Sequence, residues 1–152
     1  MTRRQLFLLA TLGSLGLLLG AFAFQYIGGL APCELCIWQR WPHAVAILIG
    51  IVALTTGKRI LGYLGALAVL FGSGVALYHV GIEQKWWLGP TTCTSGNTEG
   101  LTTEQLLDQI MAAPLIRCDE IAWEMLNISM AGWNGLISVA LAAIWILAAR
   151  KT

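Results

Sequence analysis

Charge is what this sequence has least of. Of its 152 residues, nine are Lys or Arg and eight are Asp or Glu, 11% in all, where a soluble domain carries about 25%. So few charges cannot coat a water-facing surface of this size, and the apolar share, 57%, needs a solvent other than water. The net charge of +1 leaves no basic footprint for nucleic acid or another polyanion. No internal repeat or low-complexity tract is present, and the length suits one domain.

The missing charge is missing in blocks. Four uncharged runs stand out: Gln5–Cys33, Trp41–Gly57, Ile60–Ile82 and Met125–Ala149, of 29, 17, 23 and 25 residues. Crossing a bilayer takes roughly 20 helical residues, so the first, third and fourth runs suffice. The second suffices if Ile37 and Trp38 extend it while Arg40 snorkels or faces the interior. These runs predict an all-α membrane domain over 1–152, with transmembrane helices at about 6–28, 37–56, 60–79 and 132–149. The loops expected on the outer side are about 29–36 and 80–131.

Acidic residues are absent from one face. Arg3, Arg4, Lys58, Arg59, Arg150 and Lys151 flank the spans on a single side, which the positive-inside rule makes cytoplasmic, with both termini there. All eight acidic residues and all four cysteines fall on the other side, joined by Arg40, Lys85 and Arg117. Arg3-Arg4, an apolar run and Ala21-Phe22-Ala23 could also be read as a cleavable signal peptide, but the run exceeds the usual 7–15-residue core.

The long outer loop carries a turn-rich stretch, Thr91–Gly100, expected to be mobile. Thr102 with Gln105 fits a capping box, and Leu106, Leu107, Ile110 and Met111 share a face, predicting a short helix that Pro114 ends. Such a helix lies either at the membrane interface or on the protein's own loop. Trp38, Trp41, Trp86, Trp87, Trp123 and Trp133 sit at the expected membrane surfaces as an aromatic belt. Asn127-Ile128-Ser129 matches a glycosylation acceptor by three letters only, at the head of the last span.

Cysteine is scarce but patterned: Cys33, Cys36, Cys93 and Cys118. A four-cysteine zinc site usually needs two close pairs, and only one exists, so no metal is expected. Ile37 rather than His follows Cys36, which excludes c-type haem attachment. An even count on an oxidising side favours disulfides, in any of three connectivities, and proximity favours Cys33–Cys36 with Cys93–Cys118. A bridge across two residues closes too small a loop to stabilise much, so its value is chemical. Cys93–Cys118 is either a second redox pair or a structural staple. Arg40, one helical turn after Cys36, either stabilises a thiolate and a nearby anion or anchors a helix end. His79 is either an ordinary interfacial residue or one that relays protons or bonds a ligand.

The stretches PCELCIWQR (Pro32–Arg40), HVGIEQKWWLGPTTC (His79–Cys93) and CDEIAWEMLNISMAGWN (Cys118–Asn134) resemble the DsbB family of inner-membrane disulfide bond formation proteins, over essentially the whole chain. That resemblance implies a four-helix bundle in the bacterial inner membrane with its cysteines in the periplasm. It implies that a reduced DsbA-like, thioredoxin-fold oxidase attacks Cys93 of a Cys93–Cys118 disulfide, and that exchange with Cys33–Cys36 carries the electrons onward. Cys36 would then join a quinone, ubiquinone or menaquinone, held by Arg40 and His79, and Cys33 would release the quinol. DsbA is a strong oxidant, near −120 mV, so the membrane quinone pool is a sensible sink. A DsbI-type or vitamin K epoxide reductase-like enzyme would change partner or acceptor. A non-enzymatic scaffold with two structural disulfides would leave Cys33 and Cys36 inert to exchange.

Overall fold

The computed structural model describes residues 1–90, 93, 102–112 and 116–151. Thr91–Gly100, Cys93 apart, and Pro114 lie outside the described residues. Six helices and one small hairpin are described: α1 (Arg3–Tyr26), α2 (Glu34–Trp38), α3 (Arg40–Thr56), α4 (Arg59–Glu83), α5 (Thr103–Ala112), β1 (Glu124–Met125), β2 (Ile128–Ser129) and α6 (Met130–Arg150). Four helical stretches, with α2 and α3 counted as one, are long and apolar enough to cross a membrane, and the chain is a multi-pass membrane protein.

Local chemistry explains each boundary. Thr2 and Gln5 close a reciprocal capping box at the head of α1. The second span, expected from 37, begins at Glu34 and breaks after Trp38. Pro42 has no N–H to give the Trp38 carbonyl, and its ring crowds that oxygen, so α2 stops and α3 restarts at Arg40. Gly57 ends α3 in the left-handed conformation, φ 65°, and Lys58 alone then leads into α4. The third span, expected to end at 79, runs on to Glu83 and takes His79 and Glu83 into its last turns. Leu126 and Asn127 both have positive φ, 55° and 59°, which turns β1 back onto β2 as in a type I′ hairpin. Ser129 then caps α6 by accepting the Gly132 N–H.

α4 packs along α6, α1 along α3 and α6, and α3 along α4. The buried centre is rich in small residues: Ala10, Ala46, Ala53, Ala66, Ala142 and Ala148 surround Phe7, Val69 and Trp145. With lipid outside, no hydrophobic gain separates interior from exterior, so close backbone approach supplies the attraction. Gly65 is where α4 makes room for Trp145: a Cβ there would stand 2.6 Å from the indole ring. Outward, α1, α3, α4 and α6 present exposed Leu12, Leu19, Leu48, Phe71 and Val139 to the hydrocarbon.

The Thr102–Gln105 cap forms, with Thr102 N–H donating to Gln105 Oε1 at 3.0 Å, and α5 carries exposed Leu107, Ile110 and Met111. Trp38, Trp41, Trp86 and Trp87 are exposed, while Trp123 and Trp133 are half-buried. Asn127 belongs to the hairpin turn.

Candidate active site

The thiols sit where α2 begins. Cys33 is its N-cap, with Sγ accepting the Cys36 N–H at 3.2 Å, and the two sulfurs stand 2.8 Å apart. Both are free; Cys93 and Cys118 form a disulfide. The Cys33–Cys36 bridge suggested by proximity is therefore replaced here by a thiol pair already at contact distance. The Cys33 thiol is pushed above the ordinary range, first by its hydrogen bond to Cys36 and then by burial.

The second pair lies against the first. Cys118 N–H donates to the Cys93 carbonyl at 2.7 Å, and both residues are buried with Cys33, Leu35 and Ile82. Cys33 Sγ, His79 Nε2 and Cys118 Sγ all lie within 4.8 Å of one another. Spacing in the sequence gave no sign of this convergence, because residues 33, 79 and 118 meet only where α2 packs against α4 and the chain at Cys118 folds onto His79. Cys93 is 1% exposed, which differs from the accessible cysteine expected of its loop.

His79 is buried rather than solvated, 3% exposed. Its Nε2 faces the Cys118 carbonyl at 3.2 Å, Cys33 Sγ at 3.6 Å and Glu83 at 3.8 Å. Its Nδ1 accepts from the Gln39 amide at 2.9 Å, so the ring proton sits on Nε2, facing the Cys118 carbonyl and Cys33 Sγ. Gln39 Oε1 in turn accepts from Asn134 Nδ2 at 2.8 Å, and Asn134 Oδ1 accepts from His43 Nε2 at 2.9 Å. A buried chain therefore runs from the sulfurs through Gln39 and Asn134 to His43, whose Nδ1 has no partner among the described residues. Glu83 accepts from the Ser129 hydroxyl, which ties the end of α4 to the cap of α6.

Arg40 is held over the Phe22 ring, 4.9 Å from its centroid, with Nη1 donating to Gln25 Oε1 at 2.6 Å. Its Nε is buried without a partner among the described residues. A cavity of about 490 Å³ lies between α1, the α2–α3 junction and α6, and Cys33, Cys36, Arg40, His43, His79 and Asn134 all reach it. Its remaining lining is largely aliphatic and aromatic, as in small-molecule sites. Gln25, Gln39, His43 and Asn134 were not singled out in the sequence. Outside the spans, Arg117 grips Asp119 through Nε and Nη2 at 3.0 and 2.6 Å and reaches Glu120 at 3.3 Å.

A family model, "Disulfide bond formation protein DsbB", matches residues 3–148. The chain is 33% identical over 144 residues to "Disulfide bond formation protein B" of Dechloromonas aromatica, covering 90% of this chain and 86% of that one. It is 33% identical over 144 residues to "Disulfide bond formation protein B 2" of Pseudomonas aeruginosa PAO1, covering 89% and 83%. It is 30% identical over 161 residues to "Disulfide bond formation protein B" of Albidiferax ferrireducens, covering 97% and 91%. No solved structure matches the chain at a significant level.

Proposed function

The chain belongs to the DsbB family, a disulfide-forming membrane thiol oxidoreductase, and from that premise we propose that it passes electrons from a periplasmic DsbA-like thiol oxidase to a membrane quinone. The observation that carries this reading is the meeting of both cysteine pairs in one buried cluster at an apolar cavity. The cavity suits a quinone: it is large enough for a ring, mostly apolar, and lined by the Arg40 cation. A quinone bound there supplies an acceptor for two electrons and two protons.

Electrons enter as two thiols of the reduced oxidase, which leave as its disulfide while Cys93–Cys118 becomes two thiols. Cys93 is buried, so this step requires its cover to move. When Cys33–Cys36 is oxidised, the Cys118 thiolate attacks Cys33 Sγ, its neighbour, and Cys36 leaves as thiolate. Cys93 then attacks Cys118, restoring that disulfide and freeing Cys33. The Cys33–Cys36 thiol pair, 2.8 Å apart, closes to a disulfide as two electrons and two protons pass to the acceptor. Arg40 offers positive charge to the acceptor oxygen, and His79 Nε2–H, which also holds the Cys118 carbonyl, steadies a sulfur anion at Cys33.

This reading sets both termini in the cytoplasm and the cysteines in the periplasm, supported by the one-sided basic residues. It rests α5 on the membrane through Leu107, Ile110 and Met111. The test is quinol formation by purified protein in detergent, with a reduced DsbA-like donor and ubiquinone or menaquinone. Donor-dependent turnover that Cys36→Ser abolishes supports it. A protein with four intact cysteines that reduces neither quinone returns the chain to a scaffold role.

A further inference from the structure

The sulfur cluster has the dimensions of a metal site. Tetrahedral zinc holds sulfur at about 2.3 Å and imidazole nitrogen at about 2.0–2.1 Å, so adjacent S and N ligands stand about 3.6 Å apart and adjacent sulfurs about 3.8 Å. Cys33 Sγ and His79 Nε2 are already 3.6 Å apart. Cys118 Sγ completes a triangle no wider than 4.8 Å, with all three residues buried. Cys36 Sγ, 2.8 Å from Cys33, lies outside that triangle and must swing toward it to become the fourth ligand. Leu35 and Ile82 wall the cluster from water, which favours neutralised thiolates around a cation over exposed ones.

Two features withhold the site in the state described. Cys118 is bonded to Cys93 and offers no thiolate. His79 carries its proton on Nε2, with Gln39 holding Nδ1. We propose that the fully reduced protein binds one thiophilic divalent cation, Zn²⁺ or Cd²⁺, through Cys33, Cys36, Cys118 and His79, and that the bound ion arrests disulfide exchange.

The balance is simple. Two donor thiols become a disulfide, and Cys93–Cys118 takes up their two electrons and two protons. The cation then displaces the protons of Cys33, Cys36 and Cys118 into the solvent, without changing its own oxidation state. The His79 proton moves to Nδ1, and the Gln39 amide turns its oxygen to accept it. All three reactive sulfurs are thereby committed to metal bonds, and none can attack.

This rests on the proposed function only for the donor that opens Cys93–Cys118, and a chemical reductant can replace it. The test is a Co²⁺ titration of the full chain in detergent, after reduction with a phosphine that is then removed. One Co²⁺ per chain, with the intense visible absorption of tetrahedral thiolate coordination and displacement by Zn²⁺, is expected of the reduced protein and not of the oxidised one. Losing an outer-shell partner already costs about 10–100-fold in affinity, so His79→Ala and Cys118→Ser should each cost at least that. Cys93→Ser, in which Cys118 is always free, should keep the band. Absence of the band from reduced protein, or wild-type affinity in either ligand variant, overturns the inference. In a separate assay, Zn²⁺ should stop quinol formation and a chelator restore it. A Co²⁺ band in a protein that never reduces quinone would sink the proposed function and leave this site standing.

Discussion

Replacing Arg40 with Met tests the cavity most directly. The side chain stays unbranched but loses the guanidinium, and with it both the cation–π contact to Phe22 and the bond to Gln25. Arg40 lines the cavity, so its guanidinium would donate to a bound carbonyl oxygen. A hydrogen bond to a charged group is worth about 1.5–3 kcal/mol, and each 1.4 kcal/mol is about tenfold. The KM for quinone should therefore rise about 10- to 150-fold, while kcat at saturating quinone changes little, as for lost ground-state binding. Gln25→Leu removes only the acceptor that steadies the guanidinium, a neutral partner, and should raise KM by about tenfold at most. The assay is steady-state quinol formation in detergent at varied quinone and fixed reduced donor, on protein whose Cys93–Cys118 disulfide is confirmed. A KM within twofold of wild type in Arg40→Met refutes the reasoning. So does a collapse of kcat at unchanged KM, which would move the guanidinium from binding to chemistry.

Gly65→Ala drives a methyl into the fully buried Trp145 ring, whereas nothing lies within 4 Å of a Cβ at Gly74 in the same helix. Both gain the same helix propensity, so Gly65→Ala should unfold about 1–3 kcal/mol more easily than Gly74→Ala in a detergent denaturation series. Asn134→Leu orphans Gln39 Oε1 and His43 Nε2, and should cost about 2 kcal/mol or more; adding His43→Leu removes one orphan and should recover part of that in a double-mutant cycle. Asp119 is held below the usual carboxylate range, chiefly by its hydrogen bond from Arg117. Its stabilisation is complete above the unfolded pKa of about 3.9 and disappears as pH falls through the lower folded value. Asp119→Asn should therefore cost at most about 1 kcal/mol at neutral pH, with the gap to wild type closing below about pH 4 in pH-dependent melts.

The four spans were legible because lipid tolerates so few charges that their absence marks a helix by length alone. The Thr102–Gln105 cap was legible for the same local reason: its partners are three residues apart. The helix break at Trp38 had a visible cause in Pro42, yet an uncharged run reads as continuous unless the missing N–H is traced to its carbonyl four residues back. The buried chain was not legible. Gln39 and His79 are 40 residues apart and Gln39 and Asn134 are 95, and each alone looks like an unremarkable polar residue near a helix end. The glycine seat for Trp145 was hidden likewise, since glycines of general close approach and the one facing an indole look alike until α4 and α6 are brought together.

The Gln39–Asn134 chain also has a direction. Each amide gives a hydrogen to one neighbour and takes one from the other, so every link points the same way along the row from Asn134 to the His79 ring, and His43 adds its own hydrogen at the far end. No link can be reversed alone without setting two lone pairs, or two hydrogens, face to face. If the proton on His79 changes nitrogen, both amides must rotate by half a turn and His43 must change its tautomer. His43 Nδ1 would then carry a hydrogen where it now presents a lone pair. The helices need not shift: the row behaves like a compass needle with two settings, and the inner end of the cavity reads which one the sulfur end has chosen.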